Sequence, residues 1–259
     1  MEPDNGVRLN KFLSEAGVCS RREADRLIEE GRVTVDGCRA LTGMRVQPNQ
    51  KVEVDSKRVT GRTRDVILAV NKPQGVVCTT DTRWGDVTLE QMVSYPTRVF
   101  SIGRLDKRSE GLILMTDNGD IVNRMMRAEN AHEKEYLVTI DKPVTEDFLS
   151  RMREGVELEE LGVRTMKAKA WKVDRFRFRI ILKQGLNRQI RRMCEACGCQ
   201  VTKLVRTRIM NIELGDLGAG TWRELTKEEK EALTAQLYPE KPGKAPEADG
   251  RRENEPRRI

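Results

Sequence analysis

Three short segments of the chain contain the residue types that a reaction on a nucleotide would need. They run from Gly103 to Asp106, from Lys134 to Tyr136 and from Asn187 to Met193. Together they supply the Asp106 carboxylate, the Tyr136 aromatic ring and a cluster of permanent positive charge. An arginine near a carboxylate keeps it ionised, and an ionised aspartate can act as a nucleophile or as a base. This equipment could hold a nucleotide and act on the bond between its sugar and its base.

Each of these residues, taken alone, also has a common structural explanation. Asp106 is typical of a turn aspartate in a surface ion pair, and Tyr136 is typical of a core tyrosine whose hydroxyl is hydrogen-bonded. The guanidinium groups of Arg188, Arg191 and Arg192 suit phosphate and carboxylate geometry, but such residues also occur on solvated helix faces. Only the combination therefore points to catalysis.

The composition narrows the classes of protein that fit. The 259 residues carry 48 lysines and arginines against 41 acids, a net charge of +7, which is a weak sign of a polyanionic partner because 34% of all residues are charged. His132 is the single histidine, so a serine–histidine–aspartate triad would depend on it. No apolar run is long enough for a membrane span, and the acidic start does not resemble a signal peptide. We expect a cytoplasmic monomer.

The six cysteines do not predict a metal site. Cys194, Cys197 and Cys199 form a C-x-x-C-x-C pattern. Structural zinc usually needs two ligand pairs, and no second pair or set of histidines accompanies these thiols. Cys194 and Cys197 also fall on the apolar stripe of a predicted helix. We therefore expect reduced thiols and no bound metal.

Residues 1–60 are predicted to form a small basic unit. The apolar spacing over residues 9–16 predicts an amphipathic helix, and Ser20 with Glu23 predicts a capping box that opens a second helix. Val33 and Val35 alternate as in a strand, and the following Asp36-Gly37 predicts a hairpin turn. The helices carry cations suited to phosphate binding, although ordinary solvated charge explains them too. These cations are Arg8, Lys11, Arg21, Arg22 and Arg26.

Nearly all of this unit resembles the S4 RNA-binding domain. The resemblance lies in Arg8-Leu9-Asn10-Lys11-Phe12-Leu13, Ser20-Arg21-Arg22-Glu23-Ala24 and Val33-Thr34-Val35-Asp36-Gly37. S4 domains bind structured RNA through their helix pair. The resemblance therefore implies an RNA-docking role for residues 1–60.

Residues 61–238 are predicted to form an α+β domain with a largely antiparallel sheet. The unbroken apolar run 66–70 predicts a strand buried on both faces, and 76–80, 112–116, 136–140 and 176–182 predict further extended segments. Helices are expected over 145–152, with Thr145 as the cap, and from about 189 to Gly198. Thr226 and Glu229 predict a capping box that opens a last helix to about Leu237. Asp120 is predicted to cap a helix that begins at Ile121.

Two segments outside these elements show no apolar periodicity. Residues 56–64 are basic and are expected to form a linker between the two domains. Residues 239–259 consist mainly of proline, glycine and charged side chains. Such a composition cannot bury enough apolar surface to offset its ordering entropy, so we predict a disordered tail.

Four stretches in the second domain resemble the pseudouridine synthases. They are Asn71-Lys72-Pro73 with Gly75, the run Gly103–Leu112 around Asp106, Lys134–Val138 around Tyr136, and Gly185–Met193. The resemblance spans about residues 65–235 and follows an S4-like unit. This order is similar to the branch that includes the uridine enzyme of the small ribosomal RNA and the B, E and F types of the large ribosomal RNA. Within that branch, His132–Thr139, Gln184–Gln189 and Arg206–Asn211 look most like the F type.

The resemblance implies a reaction and a set of residue roles. The family detaches uracil from its ribose, rotates it and rejoins it through carbon without a cofactor or metal. Asp106 matches the family's essential aspartate, and Tyr136 matches the tyrosine that stacks on the target base. Arg191 matches the basic residue that pairs with the aspartate. Arg104 matches the arginine that fills the gap left by the displaced nucleotide, and base flipping is expected.

The implied substrate is large-subunit ribosomal RNA, with a tRNA as a candidate second substrate. The predicted RNA-binding residues are Arg104, Leu105, Lys107, Asn187, Arg188, Gln189, Ile190, Arg206 and Arg208, together with Arg8, Lys11, Arg21 and Arg22. The chain departs from its relatives at two positions. Arg108 is basic where they often carry an acid or a small polar residue, and Gln184 replaces a common glutamate.

Two other functions remain open at this point. A ribosome-associated RNA-binding protein without catalysis would keep the S4-like helices but could lose Asp106 or Tyr136, and both are present. A hydrolase at a ribosyl bond could use Asp106 as nucleophile or base. Such enzymes typically need two carboxylates, and only Glu110 lies near in sequence. Release of free uracil would indicate the hydrolase.

Overall fold

The computed structural model of the protein describes residues 6–60, 65–79, 85–127 and 131–239. The predicted disordered tail lies outside these ranges from residue 240 onward, and so does the end of the predicted linker. Within them the chain folds into a small N-terminal unit and a larger α+β domain, as the sequence predicts.

The N-terminal unit packs two helices on short strands. Its elements are β1 (Val7–Arg8), α1 (Leu9–Glu15), α2 (Arg21–Glu29), β2 (Val33–Val35), β3 (Cys38–Arg39), β4 (Arg45–Val46), β5 (Val52–Val54) and β6 (Lys57–Arg58). The strands β3-β2-β5-β6 form one sheet, and β1 pairs with β4. The apolar stripes of both helices enter the core through residues such as Leu13, Leu27 and Ile28. The helix spacing predicted from the sequence is therefore confirmed.

Two details of this unit differ from the prediction. The Ser20 hydroxyl accepts a hydrogen bond from the Glu23 amide at 3.1 Å, but no return bond closes the capping box, since Glu23 pairs with Arg26 instead. Lys57–Arg58, assigned to the linker, pairs with β5 as an edge strand. Its two exposed basic residues lack the apolar alternation by which a strand is recognised in sequence.

The larger domain is built on a nine-stranded sheet. Its strands and the short pair beside it are β7 (Ile67–Lys72), β8 (Phe100–Ile102), β9 (Glu110–Thr116), β10 (Lys134–Ile140), β11 (Glu157–Leu158), β12 (Val163–Arg164), β13 (Lys169–Lys172), β14 (Arg177–Leu182), β15 (Val201–Ile209), β16 (Ile212–Glu213) and β17 (Trp222–Glu224). The order is β13-β14-β10-β15-β9-β7-β17, with β16 on β15 and β8 on β9. Strand β7 is buried on both faces, as predicted: Ile67 and Ala69 pack in one core, and Leu68 and Val70 in another.

Five helices flank this sheet in the described residues. They are α3 (Leu89–Val93), α4 (Gly119–Met126), α5 (Glu146–Glu154), α6 (Gln189–Ala196) and α7 (Lys227–Leu237). The predicted caps at Thr145 and Thr226 are confirmed. The predicted cap at Asp120 is wrong, because Asn118 caps α4 and accepts from the Asp120 amide at 2.9 Å. Asp120 instead lies in the first turn of α4, where its negative charge interacts favourably with the helix dipole.

The sheet is antiparallel except where β9 meets β15. These two strands run parallel and pair only Glu110 with Val205 and Gly111 with Arg206. Gly111 has φ +101°, and a Cβ there would lie 2.4 Å from the Arg206 carbonyl oxygen, so only glycine fits this close approach. The junction joins the β8–β9 loop, which carries Asp106, to the strand next to Tyr136.

Candidate active site

Asp106 lies in the loop that connects β8 to β9. The Ser109 amide donates to the Asp106 carbonyl at 2.9 Å, which closes a tight turn, and the Gly75 amide donates to the Lys107 carbonyl at 2.8 Å. Leu105 is buried in the core beneath, so it anchors the loop from one side. The Asp106 side chain keeps about one third of its surface exposed (34%). The loop thus fixes the backbone while it leaves the carboxylate open to a substrate.

A buried lysine supports this loop from the end of β7. The Lys72 side chain is fully buried, and its ammonium group donates to the Ser109 carbonyl at 2.7 Å and to the Pro73 carbonyl at 2.9 Å. Burial lowers the pKa of Lys72, and the charge of Asp106 partly opposes that effect. The sequence pattern contained Lys72 but gave it no role, because its burial depends on how β7 and β9 pack.

Arg191 supports the same loop from α6. Its guanidinium donates to the Arg108 carbonyl at 3.2 Å, to the Ser109 hydroxyl at 3.3 Å and to the Val201 carbonyl at 3.2 Å. Burial lowers the pKa of Arg191 most, and the positive charge of Arg188 lowers it further. Asp106 acts in the opposite direction, so the carboxylate and Arg191 interact through space.

The direct ion pair of Asp106 is with Arg188. The Arg188 Nη1 lies 4.0 Å from Asp106 Oδ2, and both side chains are partly exposed. Arg188 is the N-cap of α6 and has a left-handed backbone, with φ 51° and ψ 33°. The sequence predicted that Arg191 would pair with the aspartate. In this structure Arg188 makes that contact, and Arg191 is held by the loop's backbone.

Tyr136 lies on β10, two strands away from β9 at the same level of the sheet. It pairs with Arg206 of β15, which in turn pairs with Gly111 at the start of β9. Its ring packs against two apolar cores and is partly exposed. A register shift between Glu135 and Tyr136 interrupts the pairing with β15. The β9–β15 junction therefore brings the tyrosine strand and the aspartate loop to one region.

Four of the predicted RNA-binding residues are buried. Arg206 is 3% exposed and donates to the Leu112 carbonyl at 2.6 Å, so it belongs to the β9–β15 junction rather than to a surface. Gln189 is also buried, and its side chain accepts from the Leu186 amide at 3.1 Å, which shapes the turn before α6. Leu105 and Ile190 lie in apolar cores. These residues position the site, and a spacing pattern alone could not separate them from surface residues.

Other predicted RNA-binding residues are at the surface. Arg104, Asn187 and Arg188 are exposed around the Asp106 loop. Lys107 is exposed too, and it pairs with Asp86 at 2.6 Å. Arg208 is less available, because Glu133 and Glu135 hold it in ion pairs at 3.3 and 3.1 Å.

The predicted RNA-binding cations of the N-terminal unit also include exposed side chains and one that is held in an ion pair. Arg8, Arg21 and Arg22 are exposed. Lys11 instead reaches the larger domain and binds the Asp120 carboxylate at 2.8 Å, which raises the pKa of the lysine. Lys11 therefore joins the two domains in this structure.

Neither a metal centre nor a membrane segment emerges from the described ranges. No three histidine, cysteine, aspartate or glutamate side chains converge there in a way that could hold an ion. Cys194 and Cys199 are buried, and the Cys199 thiol donates to the Cys194 carbonyl. Each helix within these ranges is too short or too polar to cross a bilayer.

Comparison with known proteins agrees with this arrangement. The model of the RNA pseudouridylate synthase family matches residues 65–196, and the S4 domain model matches residues 7–52. The chain is 52% identical over 231 residues to the dual-specificity RNA pseudouridine synthase RluF of Escherichia coli (strain K12), which covers 88% of this chain and 79% of the relative. It is 36% identical to ribosomal large subunit pseudouridine synthase B of Xanthomonas campestris, with coverage of 89% and 49%.

A solved structure supports the same assignment. The crystal structure of a pseudouridylate synthase superposes with a TM-score of 0.65 at 30% identity, and the match covers 88% of this chain and 99% of the other. The domain that contains Asp106 and Tyr136 thus has the fold of a solved pseudouridylate synthase, and in this chain an S4 domain precedes it. The chain belongs to the RNA pseudouridine synthase family.

Proposed function

We propose that this enzyme converts a uridine of large-subunit ribosomal RNA to pseudouridine in the cytoplasm and accepts a tRNA as a second substrate. The relative from Xanthomonas is named for the large ribosomal subunit, and the relative from Escherichia coli is named for dual specificity. The observation that carries the proposal is the placement of Asp106. Its carboxylate is open to solvent, whereas Lys72 and Arg191 hold the surrounding backbone from below.

The proposed reaction begins when the target uridine leaves its stack, since a base inside a helix could not reach Asp106. Arg104, exposed at the start of the loop, occupies the gap that the nucleotide leaves. The bond between ribose and uracil nitrogen 1 breaks, the base rotates, and carbon 5 bonds to the ribose. The hydrogen on carbon 5 is then lost as a proton and nitrogen 1 gains a proton, so the product is an isomer of the starting uridine.

The residues around the cleft divide these tasks. Asp106 acts on the sugar or the base, as a nucleophile or as a base. Tyr136 offers a partly exposed ring on which uracil stacks during its rotation, and its hydroxyl assists removal of the proton. The exposed arginines of the S4 domain, Arg8, Arg21 and Arg22, hold RNA phosphates away from the site of reaction.

Mapping of pseudouridine in RNA from cells with and without the gene tests the proposed substrates. We expect one position in large-subunit ribosomal RNA, and one in a tRNA, to lose the modification on deletion and regain it on complementation. Persistence of every ribosomal position would contradict the ribosomal substrate, and loss only there would remove the tRNA. Release of free uracil by the purified protein would instead indicate the hydrolase alternative.

A further inference from the structure

The charges around Asp106 are unbalanced. Arg188 lies 4.0 Å from the carboxylate, and Arg191 supports the loop from below. Arg108 follows two residues later in the same loop, with its side chain exposed. Besides Asp106, the acidic group that acts on Arg191 is Glu195, near the far end of α6. Two exposed arginines, Arg108 and Arg188, thus lie at the Asp106 loop, and the buried Arg191 supports the loop.

Two donors in this cluster have no partner. Within the part of the chain that the structure describes, the Arg108 side chain makes no hydrogen bond or ion pair, although its carbonyl accepts from Arg191. The Nε of Arg191 is buried and lacks a hydrogen-bond acceptor. Burial lowers the pKa of Arg191 most, and the charges of Arg188 and Arg108 lower it further. The cluster has more capacity for negative charge than Asp106 fills.

The ion pair between Asp106 and Arg188 is also weak enough for Arg188 to change its partner. At 4.0 Å between partly exposed groups it is a loose ion pair, and such pairs contribute little to stability. Arg188 moreover holds a left-handed backbone with φ 51°, which a side chain such as arginine rarely adopts. A residue kept at an unfavourable backbone position is a sign of a functional side chain. Guanidinium groups bind phosphate in a two-pronged geometry that a 4.0 Å contact does not provide.

We propose that Arg188 is a positioning residue that holds Asp106 in the free enzyme and exchanges it for a backbone phosphate of the RNA, and that Arg108 supplies the second charge for that phosphate. The exchange frees the Asp106 carboxylate only when a nucleotide is in place. Arg108 would then strengthen RNA binding in this chain. The inference rests on the proposed function, because the phosphate belongs to the substrate.

The test compares Arg108→Gln and Arg188→Asn with wild type on a large-subunit ribosomal RNA transcript over a range of KCl concentrations. Lys172→Gln is the control, since Lys172 is exposed on the edge strand β13, away from the loop. We expect Arg108→Gln to raise KM at least about tenfold at unchanged kcat, the effect of losing one charged hydrogen bond. It should also reduce the slope of log affinity against log salt by about one phosphate.

Arg188→Asn separates positioning from a structural role. Asparagine tolerates the left-handed region and is a good N-cap, so we expect a Tm equal to or above wild type. Its kcat should nevertheless fall and its KM rise, and Arg188→Lys should restore the salt slope but not the full kcat. A Tm loss that parallels the activity loss would indicate a structural role and overturn the proposal.

The outcomes also separate this inference from the proposed function. If wild type does not modify the transcript, the proposed substrate fails, but the salt slopes of RNA binding still test the exchange. If wild type is active and Arg108→Gln changes neither KM nor the slope more than Lys172→Gln does, the phosphate site is contradicted.

Discussion

The cations on the S4 helices differ in burial from the cations in the interior of the catalytic domain. Arg21 and Arg22 of the S4 domain are exposed, whereas Lys72, Arg191 and Arg206 of the catalytic domain are buried. An exposed cation contributes little to stability and is free to meet phosphate. A buried cation loses its hydration and must bond to protein groups, and these three donate to carbonyls around the Asp106 loop and the β9–β15 junction. Basic residues in a sequence thus include some that stay exposed and some that are buried and hold the backbone together.

The largest loss of stability is expected at the close approach of β9 and β15. Gly111→Ala places a Cβ 2.4 Å from the Arg206 carbonyl at φ +101°, and neither backbone can move without breaking the parallel junction. We expect a loss of roughly 3–5 kcal/mol in the free energy of unfolding. Urea denaturation measures it, with Gly17→Ala of the S4 domain as control, since nothing lies within 4 Å of a Cβ there. Equal losses in both variants would mean that left-handed strain alone, and not the junction, sets the cost.

An intermediate effect is expected from the buried lysine. Lys72→Met keeps the side-chain length but leaves the carbonyls of Ser109 and Pro73 without their donor. We expect a loss of about 1–3 kcal/mol in stability and a fall in kcat, because the Asp106 loop loses its support. Arg22→Met is the matched surface change and should leave stability unaltered. If Lys72→Met folds with wild-type stability and kcat, buried cations do not build the site.

A smaller loss of stability, on lowering the pH, is expected from the single histidine, His132. Burial lowers the pKa of His132 below its usual 6.5, and its Nε2 is buried without a hydrogen-bond partner. The unfolded chain therefore binds the proton more readily than the folded one, so stability is full above pH 6.5 and falls as the pH drops toward the folded pKa. We expect a decrease of less than about 1 kcal/mol, since the ring is partly exposed. His132→Gln should remove this decrease, and an NMR titration midpoint at or above 6.5 would refute it.

The smallest effect is expected between the domains. Lys11 binds Asp120 at 2.8 Å, with 27% and 52% of the two side chains exposed. A double-mutant cycle with Lys11→Ala and Asp120→Ala should give a coupling of at most about 1 kcal/mol. Lys11→Ala should also weaken RNA binding less than Arg22→Ala does, because Arg22 has no such partner in the structure described. A larger loss of RNA affinity in Lys11→Ala than in Arg22→Ala would mean that Lys11 binds RNA.

Local patterns located most elements, and tertiary packing decided the rest. The apolar run of β7, the cap at Thr145 and the capping box at Thr226 were all visible in sequence and are confirmed. The short helix α3 was missed, although Thr88 and Gln91 form a capping box, because its five residues are too few to show a helical period. At α4 two neighbouring polar residues could serve as the cap, and the choice between Asn118 and Asp120 depends on the backbone.

The candidate site shows the same division. The resemblance implied that Asp106 and Tyr136 share one site, and the β9–β15 junction brings the Asp106 loop and the Tyr136 strand to one region. That junction is parallel and only two residue pairs long, so no local sequence pattern predicts it. The burial of Arg206 and of Lys72 follows from it, which is why sequence reasoning put one on the RNA surface and overlooked the other.

The central claim is that Asp106, held open above buried cations, carries out the isomerisation. Tritium release from RNA labelled at uracil carbon 5 tests it most directly, with wild type beside the isosteric Asp106→Asn on a large-subunit ribosomal RNA transcript. We predict release by wild type and a rate at least about 10³-fold lower for Asp106→Asn, with RNA affinity nearly unchanged. Release by Asp106→Asn at a rate near that of wild type would contradict the account.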